Sequence, residues 1–394
     1  MQRYLSLGGG VKLGQLMPVV IVAGIALAPV GPVAAGPDTG ARQAVVDHYA
    51  EGVSASYEAS LETATAMDVA IDAFVADPTD ESLEAAKEFW LGARESYGLT
   101  EAFRFYGGPI DNEENGSEGL INAWPLDEAY VDYVDGDEAA GIVNDPGTYP
   151  TIDAELLTSL NEQGGEANIS TGWHAIEFLL WGQDLSDDGP GERPVSDYTT
   201  ADNADRRATY LTVASDLLLE HLTGLVEAWA PDAENFRAEF VALEPDEALT
   251  QIITGIGELT RGELAGERMY VAYSERSQED EHSCFSDNTT ADLIGNASGI
   301  GNVLTGAYPS AEGPGLLSLF EAADADSAVA LQDSLDASLA ALEAIPAPFD
   351  QHLADGVSDD EPGRASILTA IDALEAQAAA LVVAAETIGV TLEI

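Results

Sequence analysis

The stretch Gly172-Trp173-His174-Ala175-Ile176-Glu177-Phe178-Leu179-Leu180-Trp181-Gly182 is apolar at nearly every position except His174 and Glu177. A helix that is apolar all round is a buried one, so this segment predicts a helix enclosed by other helices. His174 and Glu177 stand three apart and share one helical face. A histidine and a carboxylate in an apolar interior must be hydrogen-bonded, paired or bound to a metal. The residues alone leave two readings open. One is a pair that only hydrogen-bonds within a helical core. The other is a ligand set of one neutral nitrogen and one anionic oxygen, which suits zinc, iron or copper.

Outward from this helix the pattern stays helical. Val45, Val46, Tyr49, Val53, Tyr57 and Leu61 predict an amphipathic helix over 41–76. Pro78-Thr79-Asp80 turns and caps into a second helix over 81–106. From Gly107 to about Asn168, Gly-Gly-Pro, Asn-Gly, Asp-Pro and Tyr-Pro breakers predict an irregular region, with short helical pieces over 125–134 and 153–161. The motif helix runs 171–181 and a polar loop covers 183–197. Further helices are expected over 201–230 and 246–273, from near Thr289, and over 327–344 and 363–388. Gly262 and Gly266, one turn apart, are expected to allow close helix packing. Almost nothing alternates as a strand does. The expectation is an all-α chain, with one helical bundle at 36–200 carrying the motif and a second at 201–394.

Gly-x-His-x-x-Glu at 172–177 does not stand alone. Trp90 to Tyr97 with Thr100 to Asp111, Gly262 to Met269, and Gln278 to Asn288 follow a recognisable order. Together these stretches resemble the imelysin family, also called the M75 peptidases, and the last two resemble its iron-regulated branch. The resemblance covers roughly residues 41–394. It implies two four-helix-bundle-like domains with the His-x-x-Glu site close to their junction. It also implies that carboxylates of the Arg94–Asp111 segment complete a metal site with His174 and Glu177, and Glu101 and Asp111 are the candidates. Each has another reading: a salt bridge to Arg104 for Glu101, a loop cap for Asp111. Glu281, His282 and Asp287 form either a second ligand set or, with Asn288 and Thr289, a helix cap. Glu267 and Arg268 either line the junction or form an ordinary ion-paired surface, and Arg104 and Arg268 are further pocket candidates. The single cysteine, Cys284, reads as a small buried hydrophobe.

The chain has 394 residues, with 71 acidic against 14 basic and a formal net charge of −57. That surface repels nucleic acid, whose phosphates are met by Lys and Arg. Spread along the whole sequence, it reads as adaptation to high salt, where screening removes the self-repulsion, or alternatively as a surface that concentrates cations for a binding site. The 46% hydrophobic fraction is that of a folded protein. Asp132-Tyr133-Val134-Asp135-Gly136-Asp137 and Asp187-Asp188-Gly189 lack the spacing and terminal Glu of an EF-hand, so they read as solvated turns. Arg3 and Lys12 precede an apolar run from Leu16 to Val33 that ends Val33-Ala34-Ala35-Gly36. This predicts a secretory signal over 1–35, or alternatively an uncleaved anchor. No other stretch is expected to cross a bilayer.

Three functions are compatible with these residues. The first is an exported, periplasmic or envelope-associated protein that binds a metal ion or metal-bearing ligand. It would serve iron or other metal-ion acquisition beside an envelope uptake partner, with iron favoured and zinc or copper possible. The second is a metallopeptidase, as the M75 name implies. Helical metallopeptidases use His-Glu-x-x-His, however, and here position 178 is Phe with no second base evident. The third is a partner-docking domain in which the His–Glu pair is purely structural.

Overall fold

The computed structural model describes residues 37–394 apart from 187, 355 and 393; the expected signal at 1–35 lies outside the described residues. The protein is all-α. Among the described residues the only strands are the two-residue pair Ala307–Tyr308 and Ala311–Glu312.

Eight helices carry the fold. Helix α1, Thr39–Ala76, starts where the Asp38 carboxylate accepts from Ala41 N at 2.8 Å. Helix α2, Asp80–Gly98, starts at a capping box in which Thr79 and Ser82 bond each other's backbone, and it ends in a 3-10 turn, Leu99–Phe103. Helix α3, Gly172–Trp181, is the motif helix, buried at all ten positions as its composition predicts. Helix α4 is Ala204–Trp229. Helix α5, Pro245–Glu258, continues as a π-helix over Leu259–Val271. Helices α6, Thr289–Thr305, α7, Ala325–Glu343, and α8, Pro362–Thr387, complete the set.

Packing follows two groupings. Helix α1 lies against α2 and α4, and α3 lies against α2 and α4. Helix α8 lies against α7 and the π-helix, while α6 touches α7 and the π-helix. The groupings meet where α6 packs on α2 and on the Leu99–Phe103 turn, and where α1 packs on α5.

Two expectations are corrected here. Gly262 and Gly266 do not receive a neighbouring helix; an added Cβ would meet only atoms of their own segment. The close approach is at Gly299 instead, where a Cβ would stand 2.5 Å from Leu99 O. Helix α8 is also long and apolar enough to cross a membrane, which the sequence reading had confined to the N-terminal run. Its buried residues, among them Ile367, Ala370, Leu374 and Leu381, pack in the core.

Candidate functional site

The glycine that opens the motif has a steric reason. Gly172 has φ +81°, and a Cβ there would lie 2.3 Å from Ile121 O, so only glycine can start α3 against that carbonyl. The start is thereby fixed, and His174 and Glu177 project together into the interior, 3% and 0% exposed.

His174 Nδ1 lies 2.8 Å from Glu177 Oε2. The other Glu177 oxygen accepts from Ser286 N at 3.0 Å and from Ser286 Oγ at 2.7 Å. With Glu177 ionised, Nδ1 carries the proton and donates it, which leaves the lone pair on Nε2. That Nε2 is buried and has no hydrogen-bond partner. The His282 ring faces it, centroid to centroid at 5.1 Å. His282 Nε2 accepts from Arg94 Nη2 at 2.7 Å, and its Nδ1 is also buried without a partner. Burial, reinforced for His174 by Arg94 and for His282 by Arg268 and Arg94, pushes both imidazoles well below their ordinary pKa. They are neutral, the form that binds metals. Burial pushes Glu177 up to about 7, against the opposing Ser286 hydrogen bonds.

A buried polar network extends from His282. Arg94 also contacts Asp292 at 3.2 Å and Asn122 Oδ1. Asn122 reaches Glu101 Oε1 at 3.5 Å. Glu101 Oε2 accepts from Arg104 at 2.8 Å and from Arg268 at 2.5 Å. Arg268 further donates to Asn296 at 2.5 Å and to Glu263 at 2.8 Å. Burial alone would raise the Glu101 pKa, but Arg104 and Arg268 outweigh it and hold the carboxyl well below the usual range. The π-helical winding of Leu259–Val271, a feature frequent at functional sites, carries Arg268 in this network.

The candidate residues therefore fall into four places. His174, Glu177 and His282 sit together. Glu101, Arg104 and Arg268 are joined to them through Arg94 and Asn122. Asp111 is not: one of its oxygens takes the backbone N–H of Phe105, as a loop cap does. The expected second set divides as well. His282 belongs to the His174 cluster, whereas Glu281 and Asp287 face a separate acidic group. Asp184, Asp287 and Asp350 each place a carboxylate oxygen within 4.8 Å of the others, and among the described residues no other such His/Cys/Asp/Glu group is present. Burial, then Asp350 and Asp184, pushes Asp287 up to about 7. The expected cap does not form, since no side chain caps the start of α6. Cys284 packs against the core but is only partly buried, not fully buried as expected.

Arg94, Asn122, Asp292, Asn296 and Ser286 were not singled out. Arg94 stood inside a quoted stretch. Ser286 acts partly through its backbone, which leaves no signal in sequence.

The model of the imelysin family, Peptidase_M75, matches residues 53–381. The iron-regulated protein A of Synechococcus elongatus is 27% identical over 334 residues, covering 82% of this chain and 79% of that protein. Two crystal structures share the fold. A putative iron-regulated protein A precursor from Parabacteroides distasonis has a TM-score of 0.70 at 19% identity, over 90% of this chain and 96% of that one. An imelysin-like protein from Psychrobacter arcticum has a TM-score of 0.65 at 14% identity, over 92% and 100%. With the family's match running from α1 into α8, over most of the chain, this chain belongs to the imelysin family.

Proposed function

We propose that the protein is an exported metal-binding member of its family, acting in iron or other metal-ion acquisition. The observation that carries this is His174: a buried neutral imidazole whose Nδ1 is fixed by Glu177 and whose Nε2 has no protein partner. An orphaned buried nitrogen is costly unless something binds it. The arrangement matches the way metal-ligating histidines are oriented by a carboxylate on the far nitrogen. His174 Nε2 would be a ligand. Glu177, with both oxygens engaged, would position it and raise its basicity, and His282 and Glu101 would supply further donors if Arg94, Arg104 and Arg268 yield them. The iron-regulated name of the Synechococcus relative favours iron, and a mixed nitrogen–oxygen set also accepts zinc or copper.

We take α1–α4 and α5–α8 as the two bundles, with the site where they meet; this moves the division from the expected 200/201 to between Trp229 and Pro245, because α4 packs on α1. The peptidase alternative needs a carboxylate free to activate water. Glu177 offers none, because His174 and Ser286 occupy it. The test is titration calorimetry with Fe, Zn and Cu on the wild type and His174→Ala in molar salt, together with the metal content of the protein as purified. Stoichiometric binding lost in His174→Ala supports the reading; equal binding by both ends it.

A further inference from the structure

We propose that Asp184, Asp287, Asp350 and Glu281 form a site for a calcium-type divalent cation, separate from the His174 centre. The three aspartates come from distant parts of the chain: the loop after α3, the segment before α6, and the 3-10 turn Asp350–His352 after α7. Their oxygens nevertheless lie within 4.8 Å of one another. Two oxygens each about 2.4 Å from one calcium ion stand at most about 4.8 Å apart, so this spread fits a shared ion.

Glu281 supplies the independent observation. It is 2% exposed, and its carboxylate has only the Thr289 hydroxyl beside it, placed too loosely to complete a well-formed hydrogen bond to either oxygen. The groups it interacts with electrostatically include Asp350, Asp287 and Asp184, with the Thr289 hydroxyl nearby. Burial and these neighbouring carboxylates both disfavour the ionised form of Glu281, and a cation held among them would offset both.

The donor set fixes the chemistry. Carboxylate oxygens with no imidazole or thiol select a hard cation. Ligands from three separate irregular segments suit calcium, which accepts six to eight oxygens in irregular geometry, better than magnesium, which keeps its waters in a strict octahedron. A cleft of about 900 Å³, with Asp184, Trp181 and Gly182 in its wall, gives access from solvent at the end of α3. Ser186 N donates to Asp184 at 3.0 Å, and the Gln278 amide donates to its other oxygen. The bound ion would tie the loop after the motif helix to the 281–287 segment. That segment carries His282 and Ser286, the partners of Arg94 and Glu177.

The experiment uses chelator-treated full chain in molar sodium chloride, which screens the acidic surface. Calcium is titrated calorimetrically into wild type, Asp287→Asn, Asp350→Asn, His174→Ala and the exposed control Glu88→Gln. One calcium per chain is expected in the wild type, His174→Ala and Glu88→Gln, with affinity lower by on the order of tenfold or more in the two Asn variants. In chelator the Asn variants should melt no lower than wild type, because each removes repulsion. Wild-type affinity in the Asn variants, absence of a stoichiometric site in the wild type, or a lower melting point of the Asn variants in chelator would each overturn the proposal. Retention in His174→Ala keeps its outcome distinct from that of the His174 centre.

Discussion

Arg268 holds the two helix groupings together through buried charge, and replacing it tests that role. It is 0% exposed and bonds Glu101 on the turn after α2, Asn296 on α6 and Glu263 on its own segment. Arg268→Met keeps the apolar stem and removes the charge. Glu263 can turn to solvent, but Glu101 is 1% exposed and would be left to Arg104 and Asn122. Breaking a buried pair by removing one partner costs about 3–5 kcal/mol. With an unfolding entropy of about 2 cal/mol/K per residue over roughly 350 residues, 4 kcal/mol lowers Tm by about 5 °C. The control is Arg268→Met with Glu101→Gln, read by thermal melts monitored by circular dichroism. The double variant should lose less than the two single losses added, by about 1–3 kcal/mol, because no uncompensated anion remains. Strictly additive losses would refute the coupling. The pH sign is fixed too. The folded pKa of Glu101 is lowered, so its contribution is present above the ordinary carboxylate range and is lost as pH falls below about 4 towards the folded value. The Arg268→Met penalty should shrink in acid.

In Glu177→Gln the amide would donate to His174 Nδ1, so Nε2 would carry the proton; metal affinity measured by calorimetry should drop on the order of a hundredfold while far-ultraviolet circular dichroism stays unchanged, since the wrong tautomer cannot ligate. For the wild type, affinity should fall as pH drops through about 7, where Glu177 takes a proton and begins to donate to Nδ1. It should not wait for pH 6, the value an unperturbed His174 would give, because burial holds that imidazole neutral. Melting temperature should rise from low to molar salt, and a flat curve would remove the reading of the acidic surface as an adaptation to salt.

The helices were legible because their signals are local. The apolar run of 172–182 and the periodicity of 41–76 place α3 and α1 within two residues of their observed ends, and the Thr79 cap places the start of α2, which ends at Gly98 in a 3-10 turn rather than running on to 106. The His174–Glu177 contact follows from i,i+3 spacing on one turn. What the sequence could not show is pairing across the chain. Glu101 was read with Arg104 one turn away, and that pair exists, but its shorter bond is to Arg268, 167 residues on. The acidic group was missed for the same reason. A search for calcium loops asks for ligands at fixed spacing in one segment, and Asp184, Asp287 and Asp350 meet only after folding. The short helices Phe236–Val241 and Leu316–Ala323 also escaped notice, being one to two turns long with little periodicity to read.

The distribution of positive charge links the interior to the surface. The chain has only 14 basic residues, yet Lys87, Arg94, Arg104, Arg193, Arg207, Arg268 and Arg364 are all buried. Arg193 and Arg207 share Asp132 at 2.8 and 2.5 Å, and Arg94 serves Asp292 and His282. Most of these scarce cations thus neutralise carboxylates that water cannot reach, Lys87 and Arg364 pairing instead with the exposed Glu84 and Asp359, and the other exposed acids are left largely uncompensated. Salt acts on these two populations differently. Mobile ions screen exposed charges over a Debye length of about 10 Å at 0.1 M and shorter at higher salt, while a pair in the dry interior is screened much less. Salt should therefore shift overall stability and leave the Arg268–Glu101 coupling energy nearly constant. A coupling that faded in step with the surface effect would mean that water and ions reach the junction, and that the site there is not the enclosed one its geometry describes.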